Sequence, residues 1–261
     1  MGQEIKAGKL ENKVALITGA GRGIGRSIAV KYANEGADLF LCATRLETLE
    51  ETKKLASVAG TKIELSPLDI RDRDGVEKMV KQAIEHFGRI DILVNNAGIH
   101  RPALFQDYKM EDFDDVMKVN VYGTFNVTQF VLRQMLTQQS GKIINIASTA
   151  GKWASFGQSA YNTSKHAVVG MTRCLALEAG TAGITVNAIC PGVVETDMLS
   201  DTAKAYGIEK EQIIEGASQR TALNRIIQPG EVAGLALYLA SDEAGGMTGQ
   251  SILLDAGMVF V

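Results

Sequence analysis

Apolar and polar positions along the chain fall into two alternating textures. Short apolar runs rich in Val, Ile and Leu are each followed by a longer segment whose apolar positions return every three or four residues. The runs predict strands at Lys13 to Thr18, Ala37 to Ala43, Lys62 to Leu68, Ile90 to Asn95, Lys142 to Ala147, Ile184 to Cys190 and Ser251 to Leu254. The longer segments predict helices at Ile24 to Glu35, Leu46 to Ala59, Asp72 to Phe87, Glu111 to Thr137, Ala160 to Ala179 and Pro229 to Ala240. Strands that alternate with crossover helices require a parallel sheet. The expected fold class is therefore α/β, a single doubly wound domain with a seven-stranded parallel sheet flanked by helices.

No linker, repeat or low-complexity tract divides the chain, so residues 13–261 are expected to form one domain behind an N-terminal extension at residues 1–12. The alternation breaks once, at residues 195–228, where strand signal vanishes and a polar, partly helical excursion precedes the last helix. A long insertion between core elements is expected to be a lid over a ligand site.

With 261 residues and 46% hydrophobic content the chain can bury a large core. A formal charge of -3 without a Lys/Arg cluster gives no reason to expect nucleic acid or an anionic membrane as partner. The charged amino terminus lacks a secretory apolar core and no apolar run is long enough to span a bilayer, so a cytoplasmic location is expected. Cys42, Cys174 and Cys190 contain no C-x-x-C pair and sit in apolar segments, which predicts buried free thiols. His86, His100 and His166 are scattered without ligand spacing, so no metal site is expected.

Chemistry concentrates after the first strand, at TGAGRGIG. Gly19, Gly23 and Gly25 let the backbone turn and approach a pyrophosphate, and the following helix offers unpaired N–H groups to it. This strand–turn–helix placement makes the domain a dinucleotide-binding Rossmann fold. The second strand ends in Thr44 and Arg45, where a carboxylate would meet a free ribose 2'-hydroxyl. A guanidinium suits a 2'-phosphate, so Arg45, helped by Arg22, favours NADP(H), with NAD(H) possible. Asp69, at the end of the third strand, is placed to meet the adenine, or else to cap the next helix. NNAG, at Asn95 to Gly98, closes the fourth strand, where asparagine fixes neighbouring backbone and Ala97 and Gly98 leave room for a flat ligand.

The fifth strand delivers Ser148 at its carboxyl end, the edge at which ligands gather in open α/β sheets. In YNTSK, Tyr161 and Lys165 lie one helical turn apart on a shared face. A free tyrosine is a poor acid or base near neutrality, but an ammonium and a cationic nicotinamide would lower its pKa. Ser148 would hydrogen-bond the substrate oxygen. Asn120, unusual in a helix interior, could kink it to hold a water that relays protons to Lys165. Each residue also has a plain structural use; their joint order behind a cofactor loop points to chemistry.

TGAGRGIG, NNAG, the Ser148 to Tyr161 spacing, YNTSK and the Pro191–Gly192 pair resemble the motifs of the short-chain dehydrogenase/reductase family, from Val14 to Gly257. The resemblance implies a catalytic tetrad of Asn120, Ser148, Tyr161 and Lys165, with Tyr161 as general acid or base. It implies cofactor contacts at Gly19, Gly21, Arg22, Gly23, Ile24, Gly25, Thr44, Arg45, Asp69, Ile70, Asn96, Ala97, Gly98, Tyr161, Lys165, Pro191, Gly192, Val194, Thr196 and Met198. Lys165 would hold the nicotinamide ribose and Thr196 the carboxamide. It further implies a homotetramer, or a dimer, built on the helices at Glu111 to Thr137 and Ala160 to Ala179. The stretch from IINIAS to AVVG is similar to bacterial 3-oxoacyl and polyketide ketoreductases, and NAICPG to 3-hydroxybutyrate dehydrogenases. The expected reaction is ketone–alcohol interconversion on a small molecule. Alternatives are a 3-oxoacyl thioester reductase, an NAD-linked polyol or hydroxy-acid dehydrogenase, and a cofactor-sensing binding protein. Substrate contacts are expected at Ser148, Thr149, Lys152, Trp153, Phe156 and His100, with Arg101 and the stretch from Met198 to Tyr206 close by. The DAG at Asp255 to Gly257 departs from the DGG of many relatives, and the apolar tail after it is expected at a subunit contact or pocket edge.

Overall fold

The computed structural model describes residues 8–57 and 60–261. Seven parallel strands lie in the order β3-β2-β1-β4-β5-β6-β7. They are β1 (Val14–Thr18), β2 (Asp38–Ala43), β3 (Ile63–Pro67), β4 (Ile92–Asn95), β5 (Gly141–Ile146), β6 (Ile184–Pro191) and β7 (Ser251–Leu254). All seven expected strands form, each within about two residues of its predicted ends. Strand order reverses between β1, which pairs on one side with β2, and β4 on its other side. A crevice opens at such a switch point beyond the carboxyl ends of the strands.

Successive residues of the central strands serve opposite layers, as the pleat demands. Ala15, Ile17, Leu39, Leu41, Ile92 and Val94 enter one core. Leu16, Phe40, Cys42 and Leu93 enter the other. Both faces are covered, which explains why these strands read as unbroken apolar runs. The first core lies beneath α1 (Gly23–Asn34), α2 (Leu46–Ala56) and α9 (Pro229–Ala240). The second lies beneath α3 (Arg73–Phe87), α5 (Thr124–Gln138) and the far end of α6 (Ser159–Ala179).

Four local features refine these expectations. The helix expected to end at Ala59 closes at Ala56, and residues 58 and 59 lie outside the described residues. Of the extension at 1–12, residues 1–7 lie outside them too, whereas Leu10 is fully buried against the domain and its N–H donates to the Glu35 carbonyl. The helix expected from Glu111 to Thr137 is α4 (Met110–Met117) and α5 joined by a π-helical segment, Lys118–Gly123. The excursion folds as α7 (Asp197–Tyr206) and α8 (Lys210–Ser218), held down by Leu199, Ala217 and Ile226 in a small apolar cluster. Among the described residues no helix is long and apolar enough to cross a membrane.

Candidate active site

Two cavities meet at the switch point. One, of about 590 Å³, runs over Gly19, Gly21, Gly23, Thr44, Arg45, Asp69 and Ile70. The other, of about 790 Å³, holds Ser148, Tyr161 and Lys165. Ile24, Asn96, Gly98, Thr196 and Met198 line both, so a single elongated ligand can occupy the pair.

The narrower groove is built for an anion. Helix α1 begins after Arg22 with no side-chain cap and no acid in its first turn, which leaves its N–H groups bare toward the groove. Gly19 and Gly23 hold positive φ, at 63° and 54°, which shapes this turn. Asn96 Nδ2 donates to the carbonyls of Thr18 and Gly19 at 3.1 and 3.0 Å, and the N–H groups of Asn96 and Ala97 both donate to Thr18 Oγ1. The end of β4 thereby pins the glycine turn. Gly25, expected at the cofactor, does not line the groove. A Cβ there would stand 2.3 Å from the Gly19 carbonyl oxygen, so its role is to let α1 close on the turn.

Two arginines escaped the sequence reading, Arg71 on the groove wall and Arg26, which braces the glycine turn without lining the groove. Arg26 Nη2 donates to the Gly21 carbonyl, while its Nε reaches Thr52 Oγ1 at 3.0 Å. Arg71 grips Asp69 through Nε and Nη2 at 2.9 and 2.6 Å and reaches Asp115 with Nη1. Its guanidinium holds the Asp69 carboxyl below the usual range. The helix cap that Asp69 might have supplied comes instead from Asp72, which accepts from Gly75 N–H. Arg22 pairs with Asp201 at 3.3 Å, tying the turn to α7. Arg45 is exposed on the groove wall and has no ion-pair partner among the described residues. Arg101 belongs to this groove, not to the wider chamber, because Asp115 holds it at 3.2 Å.

At the chamber's inner end Ser148 follows β5, its Oγ accepting from Ala150 N–H at 3.1 Å. Tyr161 stands in the first turn of α6. Burial pushes its phenol up to about 12, against a smaller opposite pull from a hydrogen bond with Ser148. Lys165 by itself does not lower this value; the expectation joined it with a cationic nicotinamide. Lys165 Nζ lies 5.5 Å from the Tyr161 ring centroid, over the ring, and donates to the Ile146 carbonyl at 2.8 Å. Burial pushes the ammonium itself down to about 8. Desolvation is the largest influence on both groups.

Asn120 is buried in the π-helical segment with its amide fully used. Its Oδ1 accepts from Ile99 N–H at 2.8 Å, and Nδ2 donates to Ile99 O and Ser164 Oγ, each at 3.0 Å. The irregular turn therefore anchors α6 and the loop after β4. Behind it, Asn95 Nδ2 donates to Thr128 and Asn145, and Asn145 Nδ2 to Thr172, tying β4, β5, α5 and α6 together at 2.8 Å each. Pairing of β4 with β5 sets Asn95 beside Asn145, and packing of α5 and α6 on the sheet brings Thr128 and Thr172 to them.

Of the expected substrate contacts, Thr149, Trp153, Phe156 and His100 line the chamber with Met198 and Tyr206 of α7. Lys152 does not. The short turn at Thr149–Gly151 carries it outward toward β7, its Nζ 3.5 Å from the Ser251 carbonyl. His100 packs edge-on against Tyr161, centroids 4.9 Å apart, with Nδ1 3.2 Å from Thr202 Oγ1. The Thr202 hydroxyl already donates to Met198 O, so Nδ1 is the donor and the buried Nε2 is a free acceptor. Burial pushes this ring down to about 4, which keeps it neutral. The tail contributes Met258 and Val259, braced by Asp255 accepting from the N–H groups of Gly257 and Val259. Gln212, Ile213, Gly216, Ala217 and Arg220 of the excursion also line the chamber and were not singled out in the sequence. One cysteine departs from expectation: Cys174 is exposed on the outer face of α6, while Cys42 and Cys190 are buried. Among the described residues no three His, Cys, Asp or Glu side chains converge as a metal site.

The family model for short chain dehydrogenases matches residues 13–207. The chain belongs to the short-chain dehydrogenase/reductase family. It is thus an oxidoreductase whose fold serves a nicotinamide cofactor, and the bare α1 terminus and glycine turn fit one. The chain is 41% identical over 251 residues to the 3-oxoacyl-[acyl-carrier-protein] reductase FabG of Thermotoga maritima, covering 96% of this chain and 99% of that one. A solved actinorhodin polyketide ketoreductase with NADPH is similar at 37% identity and a TM-score of 0.91, covering 97% of this chain and 98% of its own. A solved NAD+-bound xylitol dehydrogenase is similar at 31% identity and 0.91, covering 95% and 100%.

Proposed function

We propose that this protein interconverts a ketone and a secondary alcohol, acting as a carbonyl reductase with NADPH. The observation that carries this is the convergence of Ser148, Tyr161 and Lys165 in a chamber continuous with an uncapped, glycine-lined helix terminus. A bound nicotinamide supplies the hydride. Tyr161, kept protonated by burial, gives a proton to the carbonyl oxygen as negative charge builds there. Ser148, whose oxygen already accepts from Ala150, turns its hydroxyl proton from Tyr161 to the same oxygen. Lys165 steadies the phenolate that results. Asn120 sets the pitch of α6 through Ser164.

Replacing Tyr161 by Phe is expected to cut ketone-dependent NADPH consumption about a hundredfold or more while cofactor binding, followed by fluorescence, stays within about threefold. An active variant would overturn the proton-transfer role. The NADPH preference rests on Arg45, the groove arginine left without a carboxylate. Arg45→Asp should weaken NADPH at least about tenfold more than NADH, and equal effects on the two would end that reading.

The similarity to a 3-oxoacyl thioester reductase favours a narrower second reading. Preference for a 3-oxoacyl thioester over free ketones in the same assay would establish it. Exposed Tyr122, Phe125, Leu136 and Leu177 on the helices named for subunit contact support a homotetramer, or a dimer.

A further inference from the structure

The wide chamber has an unusual charge inventory. Among the described residues none that lines it is an aspartate or glutamate, in a chain where 30 acids outnumber 27 bases. Its cations are Lys165, placed at the reacting end, and Arg220, just beyond the carboxyl end of α8. Arg220 is exposed, and among the described residues its guanidinium has neither an ion-pair nor a hydrogen-bond partner. The other arginines facing ligand space, Arg22, Arg71 and Arg101, are each held by an aspartate. Arg45 is the exception, and it faces the narrow groove.

An acid-free cavity with one unengaged guanidinium attracts a negative charge and repels none. A single guanidinium matches a monoanion, and its parallel N–H donors fit the two oxygens of a carboxylate. The remaining wall is apolar or neutral: Trp153, Phe156, Leu199, Tyr206, Ile213 and Met258. We infer that the substrate is an oxo or hydroxy acid whose carboxylate is read by Arg220 while its carbonyl or hydroxyl meets Ser148 and Tyr161. Arg220 is then a specificity-determining residue for the oxidoreductase reaction, and the inference rests on that reading.

Trp153 is the chain's one tryptophan and lines the chamber, so its emission reports occupancy without turnover. The protein would be titrated with acetoacetate and with ethyl acetoacetate, and both would be compared as substrates in NADPH consumption. Wild type should favour the acid over the ester at least about tenfold in binding and in kcat/KM. Arg220→Gln should erase that ratio through Kd and KM with little change in kcat, and Arg220→Lys should restore part of it. Equal use of acid and ester by wild type, or a ratio untouched by Arg220→Gln, overturns the inference while leaving the ketone reductase reading intact. Acid-selective binding without turnover of either compound supports Arg220 and counts against the reductase reading. Acetoacetyl-coenzyme A, whose charges sit on phosphates, tests the other anion source: dependence on Arg220 for it alone overturns the carboxylate assignment.

Discussion

Lys165 offers a direct measurement of what the active site costs the fold. The residue is 5% exposed, and burial lowers its pKa from 10.5 to about 8. At about 1.4 kcal/mol per pKa unit, holding the charged form inside destabilises the folded cofactor-free protein by about 3 kcal/mol near neutrality. Below pH of about 8 both folded and unfolded chains carry the proton and the penalty is complete. Between about 8 and 10.5 only the unfolded chain holds it, so the folded state gains stability as pH rises. Replacing Lys165 by Met removes the charge but strands the Ile146 carbonyl that Nζ now satisfies at 2.8 Å, a loss of about 1–3 kcal/mol. That second loss does not depend on pH. Urea unfolding of wild type and Lys165→Met, both free of cofactor, should therefore show the variant's advantage shrinking by about 2 kcal/mol between about pH 7 and about pH 9.5. The variant should also be inactive. A stability gap that stays constant across that range would refute the claim that Lys165 is buried charged against its own preference.

His100 gives the complementary acid-side result. Its folded pKa of about 4 lies below the ordinary 6.5, so only the unfolded chain takes up this proton between those values, and stability should fall as pH drops through that window. Replacing His100 by Gln should flatten this part of a pH–stability curve measured by urea unfolding, and an unchanged curve would mean the ring is not held neutral. For assembly, light scattering should return four times the chain mass, and Phe125→Glu should lower it; a monomeric wild type would refute the tetramer.

Periodicity and turn chemistry are local properties, so the alternation of strands and helices, the glycine turn after β1 and the Tyr161–Lys165 helical face could all be read from the chain. The joint order of Ser148, Tyr161 and Lys165 pointed to one site, and all three line the same chamber, because strand ends and helix pitch fix where such residues point. Direction within a short turn is not local in that sense. Lys152 follows Ser148 closely and yet leaves the chamber, because the intervening 3₁₀ turn aims it at β7. The irregular segment at Asn120 depends on Ile99 and Ser164, contacts that exist only once β4 and α6 are in place. Electrostatics were the most distant from the sequence. Spacing puts an ammonium near a phenol, but whether attraction or desolvation governs depends on how much protein surrounds the pair, and here burial prevails. Arg220 shows the same limit. As a sequence position it is one charged residue among many, and only the folding of α8 over the chamber, with every acid turned elsewhere, gives its charge a meaning.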